Sequence, residues 1–112
     1  VITGTTKEHK LSNDVALAAK SNATVVVLMG MGKLPEIIKL FQQENKNNLP
    51  VAIIQNGTRT NEKVGIGTVD TIVEIVEKRE LSNPAIIILG EVVNHRAILS
   101  EVKQDYSRVL MQ

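Results

Sequence analysis

The segment from Thr24 to Pro35, TVVVLMGMGKLP, constrains the fold more than any other stretch of this chain. Val25 to Leu28 is a run of four apolar residues, which is typical of a strand that is buried on both faces. The glycine after Met29 permits a tight turn and a close approach of the backbone to a ligand. Pro35 suits the start of a helix. Because ligands in open α/β sheets bind beyond the carboxyl ends of strands, this turn is the first candidate for a binding site.

The remainder of the chain alternates between strand and helix patterns. Strands are predicted at residues 1–2, 25–28, 50–55, 63–68 and 85–89, the last continuing to residue 93. Helices are predicted over 13–20, 35–44, from Thr68 or Val69 to Arg79, and from Asn94 onward. The short link between the third and fourth strands makes that pair antiparallel. The pattern therefore predicts an α/β fold with a mixed, mostly parallel five-stranded sheet and flanking helices.

The chain shows neither an internal repeat nor a linker, so residues 1–112 are expected to form a single α/β domain with a terminal helix over 94–112. Val1-Ile2 has the pattern of the end of a strand whose beginning lies upstream. We therefore expect the sequence to be part of a longer protein.

The composition excludes several classes of function. The net charge is +1 and Phe41 and Tyr106 are the only aromatic residues, which argues against a nucleic-acid partner. The chain has no cysteine, so a thiolate nucleophile and a cysteine-ligated metal are excluded. No apolar run approaches the roughly 18 residues that a membrane-spanning helix needs. We expect a cytoplasmic protein without a membrane partner.

Catalytic groups are scarce. His9 and His95 have no third ligand at metal spacing, so we assign neither a metal ligand nor a catalytic residue. The segment that begins Gly65-Ile66-Gly67 has Asp70 where a dinucleotide fingerprint requires its third glycine. Glu91 follows a buried strand and is open to two interpretations, a hydrogen bond with a ligand or an ion pair with Arg96.

Three strand ends remain as the candidate site. Their residues are Leu28, Met29, Asn56, Gly57, Leu89 and Gly90. If the parent strands are parallel neighbours, the turns after Leu28, Gln55 and Leu89 lie side by side at one rim of the sheet. Exposed backbone N–H and C=O groups there would read the edge of a flat heterocycle such as adenine.

These strand ends also carry a resemblance to a known family. The chain resembles the tetrapyrrole methylases, and within them the uroporphyrinogen-III C-methyltransferases. The resemblance spans about Val1 to Asn94 in order and with compatible spacing. It is carried by LMG at 28–30, LPEI at 34–37, VAIIQNGTR at 51–59, GT at 67–68 and ILGEVV at 88–93.

The resemblance implies a function that composition does not. Family members transfer methyl groups from S-adenosyl-L-methionine to uroporphyrinogen III, giving precorrin-2 on the route to sirohaem and cobalamin. They have two α/β domains with the cofactor in the cleft between them, and they usually form homodimers. The resemblance covers only the carboxyl-terminal domain, so an amino-terminal domain is an expected partner.

Site residues carry over by position. Met29 matches the methionine whose main chain contacts the adenosyl group, and Gly57 of Asn56-Gly57-Thr58 matches a second cofactor contact. Leu89-Gly90 is expected to line the same pocket. The family usually has Thr-Gly-His where this chain has Thr3-Gly4-Thr5, which puts the identity of the substrate in question. Two alternatives remain: a methylase of a later precorrin, and a non-catalytic nucleotide-binding α/β module.

Overall fold

The computed structural model describes residues 2–3, 13–28, 30–55, 62–82 and 85–95. All five predicted strands are present among them, and three predicted helices are present with ends shifted by a few residues. The elements, in chain order, are β1 (Ile2–Thr3), α1 (Asn13–Ala19), β2 (Val25–Leu28), a 3-10 turn (Met31–Lys33), α2 (Leu34–Gln43), β3 (Pro50–Gln55), β4 (Lys63–Thr68), α3 (Ile72–Arg79), β5 (Ala85–Leu89) and a second 3-10 turn (Glu91–Asn94).

The five strands form one mixed sheet in the order β1-β2-β5-β3-β4. Among the strands of the described residues, only β1 and β2 pair in parallel, whereas β5 is antiparallel to both of its neighbours and β4 is antiparallel to β3. The prediction of five strands and of a mixed sheet is confirmed, but the prediction of a mostly parallel sheet is wrong. The β3–β4 hairpin reverses the chain, and the α3 crossover preserves the direction of β4. Strand β5 therefore enters between β2 and β3 in the direction opposite to both.

The two faces of the sheet are covered differently. On one face, alternate strand residues pack against all three described helices, with Val15 of α1, Phe41 of α2 and Ile72 of α3 each fully buried. On the other face, Ile86 and Ile88 lie in a second apolar cluster with residues of β2 and β3. Because side chains alternate along a strand, wholly apolar strands such as AIIIL supply both cores.

Three local predictions need correction. Strand β5 stops at Leu89 and does not continue to Val93, because Gly90 turns the chain into a 3-10 turn. Helix α3 begins at Ile72, so Thr68 is the last residue of β4 rather than the helix cap. The N-cap residue of α3 is Thr71, and its Oγ1 accepts a hydrogen bond from the Thr68 N–H at 2.9 Å. The predicted helix beyond Asn94 lies outside the described residues from position 96 onward.

Among the described residues, no helix has the length and apolar character needed to cross a bilayer.

Candidate functional site

The carboxyl ends of three strands meet at one edge of the sheet, which we call the Leu28 edge and define by Thr3, Leu28, Gln55 and Ala85. Thr3 pairs with Leu28, and Leu28 and Ile54 both pair with Ile86 of β5. Strands β2 and β3 therefore end within one residue of the same level, with one strand between them. Two inter-strand spacings separate these ends by about 10 Å. The segments that follow them in the sequence begin with Met29 and Asn56.

The strand end at Leu89-Gly90 lies elsewhere. Leu89 pairs with Val25 and Val51, the first or second residues of β2 and β3, so β5 ends at the opposite side of the sheet. The hypothesis that the turns after Leu28, Gln55 and Leu89 lie side by side is therefore wrong for the third turn. The cause is the antiparallel insertion of β5. We call this opposite side the Gly90 edge and define it by Val25, Val51, Leu89 and Gly90.

The third strand end at the Leu28 edge is that of β1. Thr3, the last residue of β1, pairs with Leu28 because β1 runs parallel to β2. Sequence reasoning treated Thr3-Gly4-Thr5 only as a departure from the family pattern and did not include it among the converging strand ends. The signal was present, since a strand, a helix and a following strand normally form a right-handed parallel unit.

The predicted site residues can now be placed. Leu28 is 8% exposed and lies in the second apolar cluster with Ile54 and Ile86. Leu89 is fully buried at the Gly90 edge. Met29, Asn56 and Gly57 lie outside the described residues, so their assignment stays a prediction. The structure thus brings the ends of β2 and β3 together and separates Leu89 and Gly90 from them.

A hydrogen bond fixes the end of β3 at the Leu28 edge. The Ser82 N–H donates to Gln55 Oε1 at 2.7 Å, and Gln55 also pairs with Ala85 in the sheet. The last residue of β3 is therefore tied to the approach to β5. This contact holds two neighbouring chain segments in register at the edge where β2 also ends.

Gly30 lies two residues after the end of β2 and packs closely against the core. It is buried, and a Cβ built on it would lie 2.7 Å from Val27 Cγ1. The Gly30 carbonyl accepts a hydrogen bond from the Lys33 N–H at 3.0 Å, which begins the 3-10 turn before α2. The glycine predicted to permit a close approach does so, but toward the core of the protein itself.

The Gly90 edge borders a groove of about 460 Å³. Gly90, Glu91 and Thr24 line it together with an asparagine-rich loop over residues 45–49. Glu91 is exposed, and Asn94 Nδ2 donates to its Oε2 at 3.5 Å. Arg96, the alternative partner of Glu91, lies outside the described residues. In the part of the chain that the structure describes, no three side chains are grouped to hold a metal ion.

The comparisons with known proteins agree with this architecture. Residues 1–73 match the family model of the tetrapyrrole (corrin/porphyrin) methylases. The chain is 40% identical to a uroporphyrinogen-III C-methyltransferase of Methanocaldococcus jannaschii over 84% of this chain and 40% of that protein. It is 37% identical to a sirohaem synthase of Methylobacillus flagellatus over 88% of this chain and 21% of that protein.

Solved structures give the same result. A uroporphyrin-III C-methyltransferase from Thermus thermophilus, crystallised with S-adenosylhomocysteine, superposes with a TM-score of 0.70 at 26% identity over 83% of this chain and 41% of that one. A cobalt precorrin-4 methyltransferase gives a TM-score of 0.73 at 17% identity, which shows the shared fold. The fold is thus one found in tetrapyrrole methyltransferases.

The family model and the level of identity identify the chain: it belongs to the tetrapyrrole (corrin/porphyrin) methylases. The resemblance stated from the sequence is confirmed. The chain spans about 40% of the length of the Methanocaldococcus relative and about a fifth of the sirohaem synthase.

Proposed function

We propose that this chain is part of an S-adenosyl-L-methionine-dependent C-methyltransferase that converts uroporphyrinogen III to precorrin-2, and that it supplies one wall of the cofactor cleft. One observation carries the proposal. Leu28 and Ile54 pair with the same residue of β5, so the chain leaves β2 and β3 at neighbouring points of the Leu28 edge. Two relatives named for this methylation and a structural relative with bound S-adenosylhomocysteine support it.

The residues of the Leu28 edge suit an adenosyl group. A row of buried apolar side chains, Leu28, Ile54 and Ile86, lies immediately inside the edge on one face of the sheet. Strand ends present backbone N–H and C=O groups, which have fixed directions and can recognise the edge of a base. We place the cofactor contacts at Leu28-Met29 and Asn56-Gly57, and we assign Gly90 a structural role at the other end of the sheet.

In the proposed reaction, the main task of the protein is to align the two reactants. When bound, the cofactor would supply an electrophilic methyl group on a sulfonium. An electron-rich pyrrole carbon would form the new C–C bond to that methyl group as the methyl–sulfur bond breaks, with S-adenosylhomocysteine as the leaving group. The strand ends would hold the adenosyl group in a fixed position. The remainder of the cleft would hold the tetrapyrrole so that its reacting carbon is aligned with the methyl group. Holding two reactants in the reactive geometry contributes several kcal/mol to lowering a barrier, on the order of 7–11 kcal/mol in favourable cases. One wall of a cleft provides little of this alignment.

The binding experiment is a titration of ¹⁵N-labelled chain with S-adenosylhomocysteine, followed by NMR. We expect weak binding, with amide shifts at Leu28, Gly30 and Gln55 and none at Val25 or Leu89. Matched titrations use ATP and NAD. Equal shifts with these nucleotides would favour the alternative of a non-catalytic nucleotide-binding module, and shifts confined to the Gly90 edge would contradict the proposed location.

A second experiment addresses activity. We expect no methyl transfer from S-adenosyl-L-methionine to uroporphyrinogen III by this chain alone, measured by product formation. Transfer at a measurable rate would show that one wall is sufficient and would refute the alignment argument. The names of the relatives support uroporphyrinogen III as the proposed substrate, while Thr5 stands where the family usually has histidine. A methylase of a later precorrin therefore remains the second candidate, and competition between the two tetrapyrroles for the complete enzyme distinguishes them.

The same proposal includes an amino-terminal domain as partner, assembly as a homodimer and a cytoplasmic location. It also includes the organisation of residues 1–112 as one domain with a helix over 94–112. Sedimentation of the chain with and without the other domain would measure the assembly, and ¹³C secondary shifts would measure the helix.

A further inference from the structure

Gly30 follows the candidate cofactor contact Met29 directly in the sequence, and its backbone does not require glycine. Its φ and ψ are −110° and −7°, a conformation with negative φ that is open to residues other than glycine. The 3-10 turn that follows it is likewise open to any residue in principle. If glycine is required at this position, the reason must therefore be that neighbouring atoms leave no room for a side chain, and not the backbone conformation.

The space around Gly30 is filled by the core. An added Cβ would meet Val27 Cγ1 at 2.7 Å, Ile37 Cδ1 at 3.1 Å and Ile87 Cδ1 at 3.2 Å. All three side chains are 0% exposed. Valine is stiff at χ1, and a close-packed interior leaves few alternative rotamers. The backbone at position 30 would therefore have to move away from the sheet to admit a methyl group.

From this packing, we propose that Gly30 is a positioning residue for the cofactor. By seating the main chain directly on Val27 and Ile87, it fixes the point at which the chain leaves β2 at the Leu28 edge. This inference rests on the proposed function. Gly30 would act through the backbone it holds and would not itself contact the cofactor.

The test compares two glycine substitutions that each place a methyl group within 3 Å of a neighbouring side chain, at opposite ends of the sheet. In Gly30→Ala the new methyl group crowds Val27. In Gly67→Ala it meets Ile75 Cδ1 at 2.5 Å, and Gly67 pairs with Val51 of the Gly90 edge. Affinity for S-adenosylhomocysteine is measured by NMR on the folded chain, well below the unfolding temperature, and stability is measured separately by urea unfolding.

We expect Gly30→Ala to bind S-adenosylhomocysteine about tenfold more weakly, the scale of one lost backbone hydrogen bond. Gly67→Ala should bind within about twofold of the unsubstituted chain despite its lower stability, since distant sites act independently. A folded Gly30→Ala variant with unchanged affinity would overturn the inference, as would equal weakening by both substitutions, which would show a purely structural effect.

A second pair of variants tests the inference if Gly30→Ala does not fold. Val27→Ala removes the closest contact, so the double variant Val27→Ala/Gly30→Ala retains only the two weaker overlaps. It should bind about threefold more weakly than Val27→Ala alone, since neighbouring substitutions couple. Equal affinity of these two variants would refute the inference. Absence of binding by the unsubstituted chain would instead refute the proposed function.

Discussion

Substitution of Gly90 by alanine tests the corrected topology most directly. Gly90 has φ +149° and ψ 171°, a region of backbone conformation that is essentially restricted to glycine. A Cβ at this position would lie 2.9 Å from Thr24 Oγ1 and 3.1 Å from Thr24 Cα. The second of these atoms belongs to the backbone and cannot rotate away. The Gly90 N–H also donates to the Pro50 carbonyl at 2.9 Å, so movement of Gly90 disturbs the start of β3.

The magnitude follows from these contacts. Backbone strain of this kind costs about 1–3 kcal/mol, and overpacking costs a further amount of about 1–3 kcal/mol. Because one shift of the backbone relieves part of both, we expect Gly90→Ala to lower the free energy of unfolding by about 3 kcal/mol. For a chain of this size that corresponds to a fall in Tm of about 12 °C.

The assay is urea unfolding followed by circular dichroism, with Gly32→Ala as the matched control. Gly32 is exposed, and nothing lies within 4 Å of an added Cβ, so its substitution should change the stability by less than about 0.5 kcal/mol. A loss below about 1 kcal/mol for Gly90→Ala would refute the argument from strain. Gly90→Ala should also leave the affinity of the folded chain for S-adenosylhomocysteine unchanged, whereas weaker binding would place Gly90 at the cofactor.

Three further predictions concern packing and hydrogen bonds elsewhere in the described part of the chain. Ile87→Val, at the centre of β5 and 0% exposed, should cost about 0.5–1.5 kcal/mol, while the same change at Ile66, 51% exposed, should cost less than about 0.5 kcal/mol; equal losses in urea unfolding would contradict the burial. Gly67→Ala should cost about 1–3 kcal/mol, and combining it with Ile75→Val should recover part of the loss, so strict additivity in that double-mutant cycle would exclude a direct clash. Asp70→Ala should lower the thermal midpoint by a few degrees, because Asp70 Oδ1 accepts hydrogen bonds from two amide side chains at 3.0 and 2.9 Å; an unchanged midpoint would show that these exposed contacts contribute nothing.

The sequence predicted the elements well because their signals are local. Wholly apolar runs such as Ala85 to Leu89 identify buried strands wherever they lie in the fold. Pro35 and the apolar spacing of Ile37, Ile38 and Phe41 identify α2, which begins within one residue of its predicted start. The start of α3 was placed too early, because Thr68 is a suitable cap in isolation but is held in β4 by its pairing with Pro50.

The candidate site was predicted only in part, and the physical reason is strand direction. Assigning Leu89 and Gly90 to the site required β5 to run parallel to β2. The predicted hairpin between β3 and β4 already implied the opposite, since a crossover through α3 preserves the direction of β4. The same rule would have placed Thr3 beside Leu28, because β1 and β2 are joined by a helix. The residue types were sufficient to identify each turn. They were not sufficient to predict at which edge of the sheet the turn lies.

The sequence by itself determined most of the segments that become strands and helices, that the core is built mainly from aliphatic side chains, and that the chain belongs with the tetrapyrrole methylases. These properties depend on the composition and spacing of neighbouring residues. Only the tertiary structure decided which strand ends share an edge, because that depends on where β5 inserts between β2 and β3. It also decided why Gly30 and Gly90 are glycines, since the fold packs the side chains of Val27, Ile37 and Ile87 against Gly30 and packs Thr24 against Gly90.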